Sequence, residues 1–255
     1  MLSFIIPLKS KQVSSDWEEV CANLERTLRS ASNQESDDFQ IILVCHEKPL
    51  LIKEFEKLII LEAPFPIPEI VENKEQQLAN YRTDKGRKIL MGLNYCRIED
   101  PEGFFMVLDA DDLVSARLAK YVSDHKSSNG FYFHEGFMMK SYEPFFLFKR
   151  TLFYHECGSS FIIKNKRAPF PEELNYEEDI SNYYIRRYEV HAYIPDCMNR
   201  LGFPLEQLPF PGAIYVFNTQ NIFATSHRKK YIHREIARFF LKSCFFSKKK
   251  QAEFY

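Results

Sequence analysis

Four short apolar runs constrain this chain more than any other feature. They are LSFIIPL (2–8), FQIILVC (39–45), KLIILEA (57–63) and GFFMVLD (103–109). Each is rich in Ile, Val, Leu or Phe with no regular polar alternation, the pattern of strands buried on both faces. Pro7 suits the end of the first run, and the PFPIP after the third excludes regular helix or a central strand. Between the first two runs Trp17, Val20, Cys21, Leu24 and Leu28 recur at helical spacing behind a capping-box pattern at Ser15 and Glu18. A further helix is expected from about 85 to 97, with Ile89, Leu90, Leu93 and Cys96 on one side. Another is expected from a cap at Ser115 to about Asp124, and residues 50–57 read as a short helix. Strand and helix in alternation imply an α/β fold: a mostly parallel, Rossmann-like central sheet with helices on both faces.

Composition narrows the classes that remain. With 255 residues and 45% hydrophobic side chains, the chain can bury a sizeable core. Lys plus Arg (34) nearly balance Asp plus Glu (35), so there is no nucleic-acid signature and no nucleic-acid partner is expected. The six cysteines, at 21, 45, 96, 157, 197 and 244, form no CxxC pair, which argues against a structural zinc site. Their scatter points to a reducing compartment. The N-terminal apolar run is too short for a signal peptide's apolar region or a bilayer span, so a cytoplasmic protein is expected.

The fourth run ends in Asp109, Asp111 and Asp112. Three carboxylates at the edge of a core repel one another and lose hydration where they are buried. In open parallel sheets, ligands sit outside the carboxyl ends of the strands. Asp109 and Asp111, two residues apart, can face the same side, and hard oxygens in that pattern suit Mg²⁺ or Mn²⁺ with positions left open for a diphosphate. The competing reading is that one aspartate caps the next helix and the others are solvated.

The first half of the chain resembles a GT-A glycosyltransferase of the family 2 type. The resemblance rests on FIIPLKS, a helix ending TLRSASNQ, IILVC, DKGRKILMGL and FFMVLDADD. It continues through CGSSFIIKNK (157–166), YEEDISNYYIRR (176–187) and NTQNIFATS (218–226), in the family's order over most of residues 1–226. It implies a GT-A-like domain over 1–226, metal bound by Asp109 and Asp111, and a donor diphosphate held around Asp109, Ala110 and Asp111. It implies donor contacts at Pro7 and Lys9 after the first strand. It also implies an inverting transfer of sugar from a nucleotide-sugar donor to a carbohydrate or lipid-linked acceptor, with Asp179 as base and Glu178 beside it. Asp112 is expected to cap or support the loop. Where family members carry an aspartate after the second strand, this chain has Cys45, His46 and Glu47, so Glu47 is the candidate for the nucleobase. The family's metal-ligating histidine before the late Asn-rich motif corresponds to Asn218. Two alternatives stay open: a nucleotidyltransferase on a related fold, and a non-catalytic glycosyltransferase-like binding protein. Against the first, PLKSKQVSSD contains none of the glycines expected of a triphosphate-binding loop.

Two basic segments remain. RTDKGRK (82–88) puts Arg82, Lys85, Arg87 and Lys88 at an expected helix start, where basic residues oppose the helix dipole unless an anion is bound. A bound diphosphate explains them, and so does a solvated basic turn. In the C-terminal segment, 227–255, Lys230, Arg234, Arg238 and Lys242 recur every four residues, with Ile232, Ile236, Phe239 and Phe240 about half a turn away. Such an amphipathic basic helix either lies on an anionic membrane surface, as a peripheral contact at the inner face, or packs its apolar side on the domain.

Overall fold

The computed structural model describes residues 1–141, 143–176, 188, 191–217 and 243–255. Its centre is a sheet with seven strands among the described residues. β1 (Leu2–Pro7) pairs in parallel with β2 (Phe39–Cys45), from Leu2 opposite Phe39 to Pro7 opposite Val44. β2 continues in parallel to β3 (Leu58–Glu62), and the other edge of β1 pairs in parallel with β4 (Phe104–Val107). The four apolar runs are therefore four adjacent strands. The sheet extends beyond β4 through an antiparallel strand from later in the chain, Phe161–Lys164, and beyond that through Gly130–Tyr132 and Glu206–Gln207.

Helices cover both faces. α1 (Trp17–Ser32) buries Leu24, Leu28 and Ala31 in one cluster with Leu2, Phe4 and Ile6 of β1. Its cap is one residue later than expected: the Asp16 carboxylate accepts from Glu19 N at 2.9 Å. A carboxylate at the N-cap also complements the helix dipole. α2 (Lys74–Glu99) lies on the opposite face, where Ile89, Leu90, Leu93 and Cys96 pack with Ile5, Ile42 and Val44. Gly92 permits this approach, because a Cβ there would stand 2.5 Å from Ile5 Cγ2.

α2 corrects the expectation of a helix start near Lys85. It begins eleven residues earlier, where Asn73 Oδ1 accepts from Glu75 and Gln76 N. Residues 74–84 are mostly polar and show no apolar stripe, so periodicity does not reveal them. Residues 50–57 are not a helix. Leu51 and Phe55 rest on the first cluster while Leu50 and Ile52 point to solvent, 89% and 88% exposed.

After β4 the chain crosses into a second sheet, of five strands among the described residues. β5 (Leu113–Val114) follows the aspartates directly, and α3 (Leu118–Asp124) adds Leu118, Ala119 and Val122 to the first cluster. Ser115 lies just ahead of α3, accepting from Arg117 N at 3.3 Å and donating to Glu253 Oε1 at 2.8 Å. The strands already met at Gly130–Tyr132 and Phe161–Lys164 are β6 and β9. Between them β7 (Glu135–Lys140) and β8 (Glu143–Thr151) form an antiparallel hairpin from the aromatic-rich stretch 131–154. Next come α4 (Ile194–Arg200), β10 at Glu206–Gln207, and β11 (Ala213–Phe217), which lies between β7 and β5.

The described end of the chain belongs to the fold. β12 (Ser243–Phe245) pairs antiparallel with β8, and α5 (Lys248–Phe254) buries Phe254 beside Phe246 and Phe137. Glu253 Oε1 accepts from Arg117 Nη2 at 2.7 Å. The basic helical pattern of 230–242 lies outside the described residues, as do Asn218, Glu178 and Asp179. Among the described residues, no helix is long and apolar enough to cross a membrane.

Candidate functional site at the carboxyl end of the central sheet

The order β3-β2-β1-β4 sends the chain outward in opposite directions from β1, and such a reversal opens a crevice at the strands' carboxyl ends. Leu108 seals its floor, fully buried, with its N–H donated to Ile5 O at 2.9 Å. The next four residues make a tight turn closed by Asp112 N donating to Asp109 O at 3.0 Å. This turn is the crossing between the two sheets, since β4 precedes it and β5 follows.

The three aspartates divide by environment. Asp112 is fully buried. One of its oxygens accepts from Val216 N at 3.0 Å, and the other from Ser159 Oγ at 2.7 Å and Cys157 Sγ at 3.4 Å. Burial, then the charges of Asp111 and Asp109, pushes its pKa well above the ordinary carboxylate value. Ser159 Oγ also accepts from Asp109 N at 2.9 Å, so one hydroxyl ties the CGSS loop to both ends of the turn. Ser160 Oγ closes that loop on Cys157 O at 2.6 Å. Asp112 is thus a buried strut, which fits its expected supporting part.

Asp109 and Asp111 are partly exposed. The positive charge beside them is Lys85, whose Nζ lies 2.5 Å from Asp109 Oδ1. Burial acts to lower the Lys85 pKa, but Asp109, Asp111 and Asp112 outweigh it, so the value lies above the ordinary 10.5. Gly158 faces the same spot: a Cβ there would lie 3.5 Å from Asp109 Oδ2 and 3.9 Å from both Lys85 Nζ and His191 Nδ1. The site therefore gathers Lys85 from α2, the acid turn after β4, the loop before β9, and His191. His191 stands in no ligand spacing along the sequence, and only tertiary structure brings it here.

The other expected donor-binding residues take different places. Pro7 is the last residue of β1. Lys9 lies 5.7 Å from the Tyr81 ring centroid, and burial lowers its pKa. Ala110 is half-buried against the first cluster. Glu47 clamps the turn after β1, accepting from Ser10 Oγ at 2.8 Å and Lys11 N at 3.2 Å. The Arg87 guanidinium lies 5.8 Å from the Phe65 ring centroid.

Lys88 requires a correction. It sits mid-helix and fully buried, donating to Leu8 O at 2.8 Å and Asp84 Oδ2 at 2.7 Å. Asp84 Oδ1 stands 2.7 Å from His46 Nε2. Burial pushes the Lys88 pKa below the usual lysine value, against the pull of Asp84. Fully buried, with two of its three N–H donors bonded inside the core, Lys88 fastens α2 to the end of β1 and does not present its charge to a diphosphate.

The donor set fits a divalent cation shared with a ligand. Asp109 and Asp111 offer hard oxygens at the solvent edge, and Mg²⁺-type sites commonly use one or two carboxylates with phosphate oxygens completing the shell. Among the described residues no group of three or more His, Cys, Asp or Glu side chains forms a cage that could hold a metal alone.

No family model matches the chain. No curated protein sequence matches it either. Among solved structures the chain is similar to S. aureus TarS 1–349 in complex with UDP, at 12% identity over 85% of this chain with a TM-score of 0.45. It spans 60% of that TarS fragment and 36% of the longer TarS structure. It is also similar to Francisella tularensis 2-C-methyl-D-erythritol 4-phosphate cytidylyltransferase (IspD), at 12% identity over 93% of this chain and 98% of that one, TM-score 0.42. A third similar structure is HddC from Yersinia pseudotuberculosis, at 13% identity over 85% and 88%, TM-score 0.36.

Proposed function

We propose that this protein is a metal-dependent, inverting glycosyltransferase that moves a sugar from a nucleotide-sugar donor to a hydroxyl of a carbohydrate or lipid-linked acceptor. One arrangement supports the reading: Asp109 and Asp111, with the Lys85 ammonium beside them, stand at the strand ends where an open α/β sheet binds ligands. A buried strut behind them, Asp112 with Ser159, fixes the turn that carries them.

In this proposal Asp109 and Asp111 hold Mn²⁺ or Mg²⁺, which when bound neutralises charge on the departing nucleoside diphosphate. Lys85 adds a mobile positive charge at the same edge. The acceptor oxygen forms a bond to the anomeric carbon while the bond from that carbon to the diphosphate oxygen breaks. Asp179, with Glu178 beside it, takes the acceptor proton, because a sugar hydroxyl is a poor nucleophile until that proton leaves.

The test is product identity. The protein, Mn²⁺ and a panel of nucleotide sugars should release nucleoside diphosphate. Pyrophosphate released from a nucleoside triphosphate and a sugar phosphate would contradict glycosyl transfer and favour nucleotidyl transfer. On the active donor, Asp179→Asn should cost about 10²–10⁴-fold in rate with nucleotide affinity retained. A rate within threefold of the parent removes Asp179 as the base.

Peripheral membrane contact through 230–242 belongs to the same proposal. Because residues 243–255 are built into the second sheet and its core, charge replacement is a cleaner test than truncation. Replacing Lys230, Arg234 and Arg238 with Glu should abolish binding to anionic vesicles at low salt. Unchanged binding would exclude this contact.

A further inference from the structure

Two lysines one helical turn apart on α2 differ in freedom. Lys88 is 1% exposed and anchored to Leu8 O and Asp84, so this turn of the helix is fixed to the end of β1. Lys85 is 35% exposed, and its Nζ reaches Asp109 Oδ1 from that fixed base on a four-carbon stem. Its partner is one of the two carboxylates proposed to hold the metal. A divalent ion of the Mg²⁺ type bonds carboxylate oxygen at about 2.0–2.1 Å. With Nζ already 2.5 Å from Asp109 Oδ1, a cation on that oxygen would stand less than about 5 Å from the ammonium. Three positive charges so close do not share one carboxylate oxygen without a further anion.

We propose that Lys85 is the resident counter-ion of Asp109, and that it and a divalent cation occupy this carboxylate in turn. Without ligand, the ammonium neutralises Asp109 and keeps the metal weakly bound. A diphosphate brings new negative charge to the crevice, draws the ammonium off Asp109 onto its own oxygens, and leaves Asp109 to the metal. Metal and nucleotide therefore bind with positive coupling, and by linkage each tightens the other by the same factor. The second half of this exchange rests on the nucleotide reading above, whereas the first half, competition between Lys85 and metal, does not.

The chemistry of Lys85 suits the exchange. A lysine ammonium is a compact charge with three rotatable donors, free to leave one oxygen for another. Among the described residues the groups facing it are Asp109, Asp111, Asp112 and the Gly158 loop with His191 nearby, so the anions that hold it there are those of the acid turn itself.

The experiment measures Mn²⁺ binding directly, by the loss of the free-ion paramagnetic resonance signal, on wild type, Lys85→Gln, Lys85→Met and Lys85→Arg. Each protein is titrated with Mn²⁺ alone, then with Mn²⁺ in the presence of UDP, GDP, CDP or ADP. The expected result with Mn²⁺ alone is binding at least tenfold tighter in Lys85→Gln and Lys85→Met than in wild type, with Lys85→Arg close to wild type. A nucleoside diphosphate should tighten Mn²⁺ binding in wild type, and by a smaller factor in the two neutral variants. Equal or weaker Mn²⁺ binding in both neutral variants overturns the exchange, as does absence of Mn²⁺ binding in every protein. Tighter binding in the neutral variants with no effect of any nucleotide supports the competition and contradicts the nucleotide reading. Melting curves of the four proteins verify that each variant is folded.

Discussion

Lys85 and Lys88 carry the same group on the same helix, and each is paired with an aspartate, yet they do opposite things. Lys88, Asp84 and His46 form a closed unit inside the core, where every charge has a fixed partner and almost no water. Lys85 and Asp109 form an open unit at the edge of the crevice, within reach of solvent and of Asp111. Burial dominates the first and drags the Lys88 pKa down; the carboxylates dominate the second and hold the Lys85 pKa up. A charge pair is structural or exchangeable according to its surroundings.

The contrast predicts unequal costs of removal. Lys88→Met leaves Asp84 buried without its cation, and breaking such a pair typically costs about 3–5 kcal/mol. Lys85→Met removes a partly exposed pair, for which a cost of about 1 kcal/mol or less is expected. Urea denaturation of both variants measures the difference. Lys88→Met combined with Asp84→Asn should recover part of the loss, because no carboxylate is then stranded. Similar costs for the two single replacements would break the distinction between a closed and an open pair.

A smaller effect appears in alkaline solution. The Lys85 pKa lies above 10.5 in the folded chain, so its contribution is fully present below that value and lost as pH rises through the folded pKa. The stability difference between wild type and Lys85→Met should hold steady to about pH 10 and shrink above it, by about 1 kcal/mol or less. Lys88 has the opposite sign. Its folded pKa lies below 10.5, so the folded chain gives up the proton first and stability rises with pH between the two values. The difference between wild type and Lys88→Met should therefore grow over that window. Stability profiles of the three proteins from pH 8 to 11.5 check both slopes, and parallel profiles would contradict the assignment.

Much of this organisation is legible in the sequence, and the illegible parts have physical reasons. The four parallel strands announce themselves because a strand buried on both faces must be apolar throughout. The acid turn is legible because three aspartates behind such a strand are out of place in any core. The start of α2 is not, because residues 74–84 are polar helix formers without a stripe. Nor is the burial of Lys88: lysine is almost never fully buried unless paired, and the pairing with Asp84 is useful only once His46 and Leu8 arrive from other segments. Ser159 and His191 reach the site from far along the chain, and no local spacing marks them. The five-stranded sheet escapes for a related reason. Its strands come from widely separated stretches, and β11 and β12 reach the hairpin of 131–154 only from later in the chain.

The proposed nucleotide site stands or falls with the open pair and with Asp109 and Asp111. The direct measurement is a thermal-shift panel of nucleoside diphosphates and triphosphates, each with Mn²⁺ and with EDTA, on wild type and Asp109→Ala. A ligand at 100 times its dissociation constant stabilises the native state by about 2.7 kcal/mol. A nucleoside diphosphate should raise the wild-type melting temperature more with Mn²⁺ than with EDTA, and Asp109→Ala should lose the metal-dependent part. A full metal-dependent shift retained in Asp109→Ala, or no shift with any nucleotide in wild type, would contradict it.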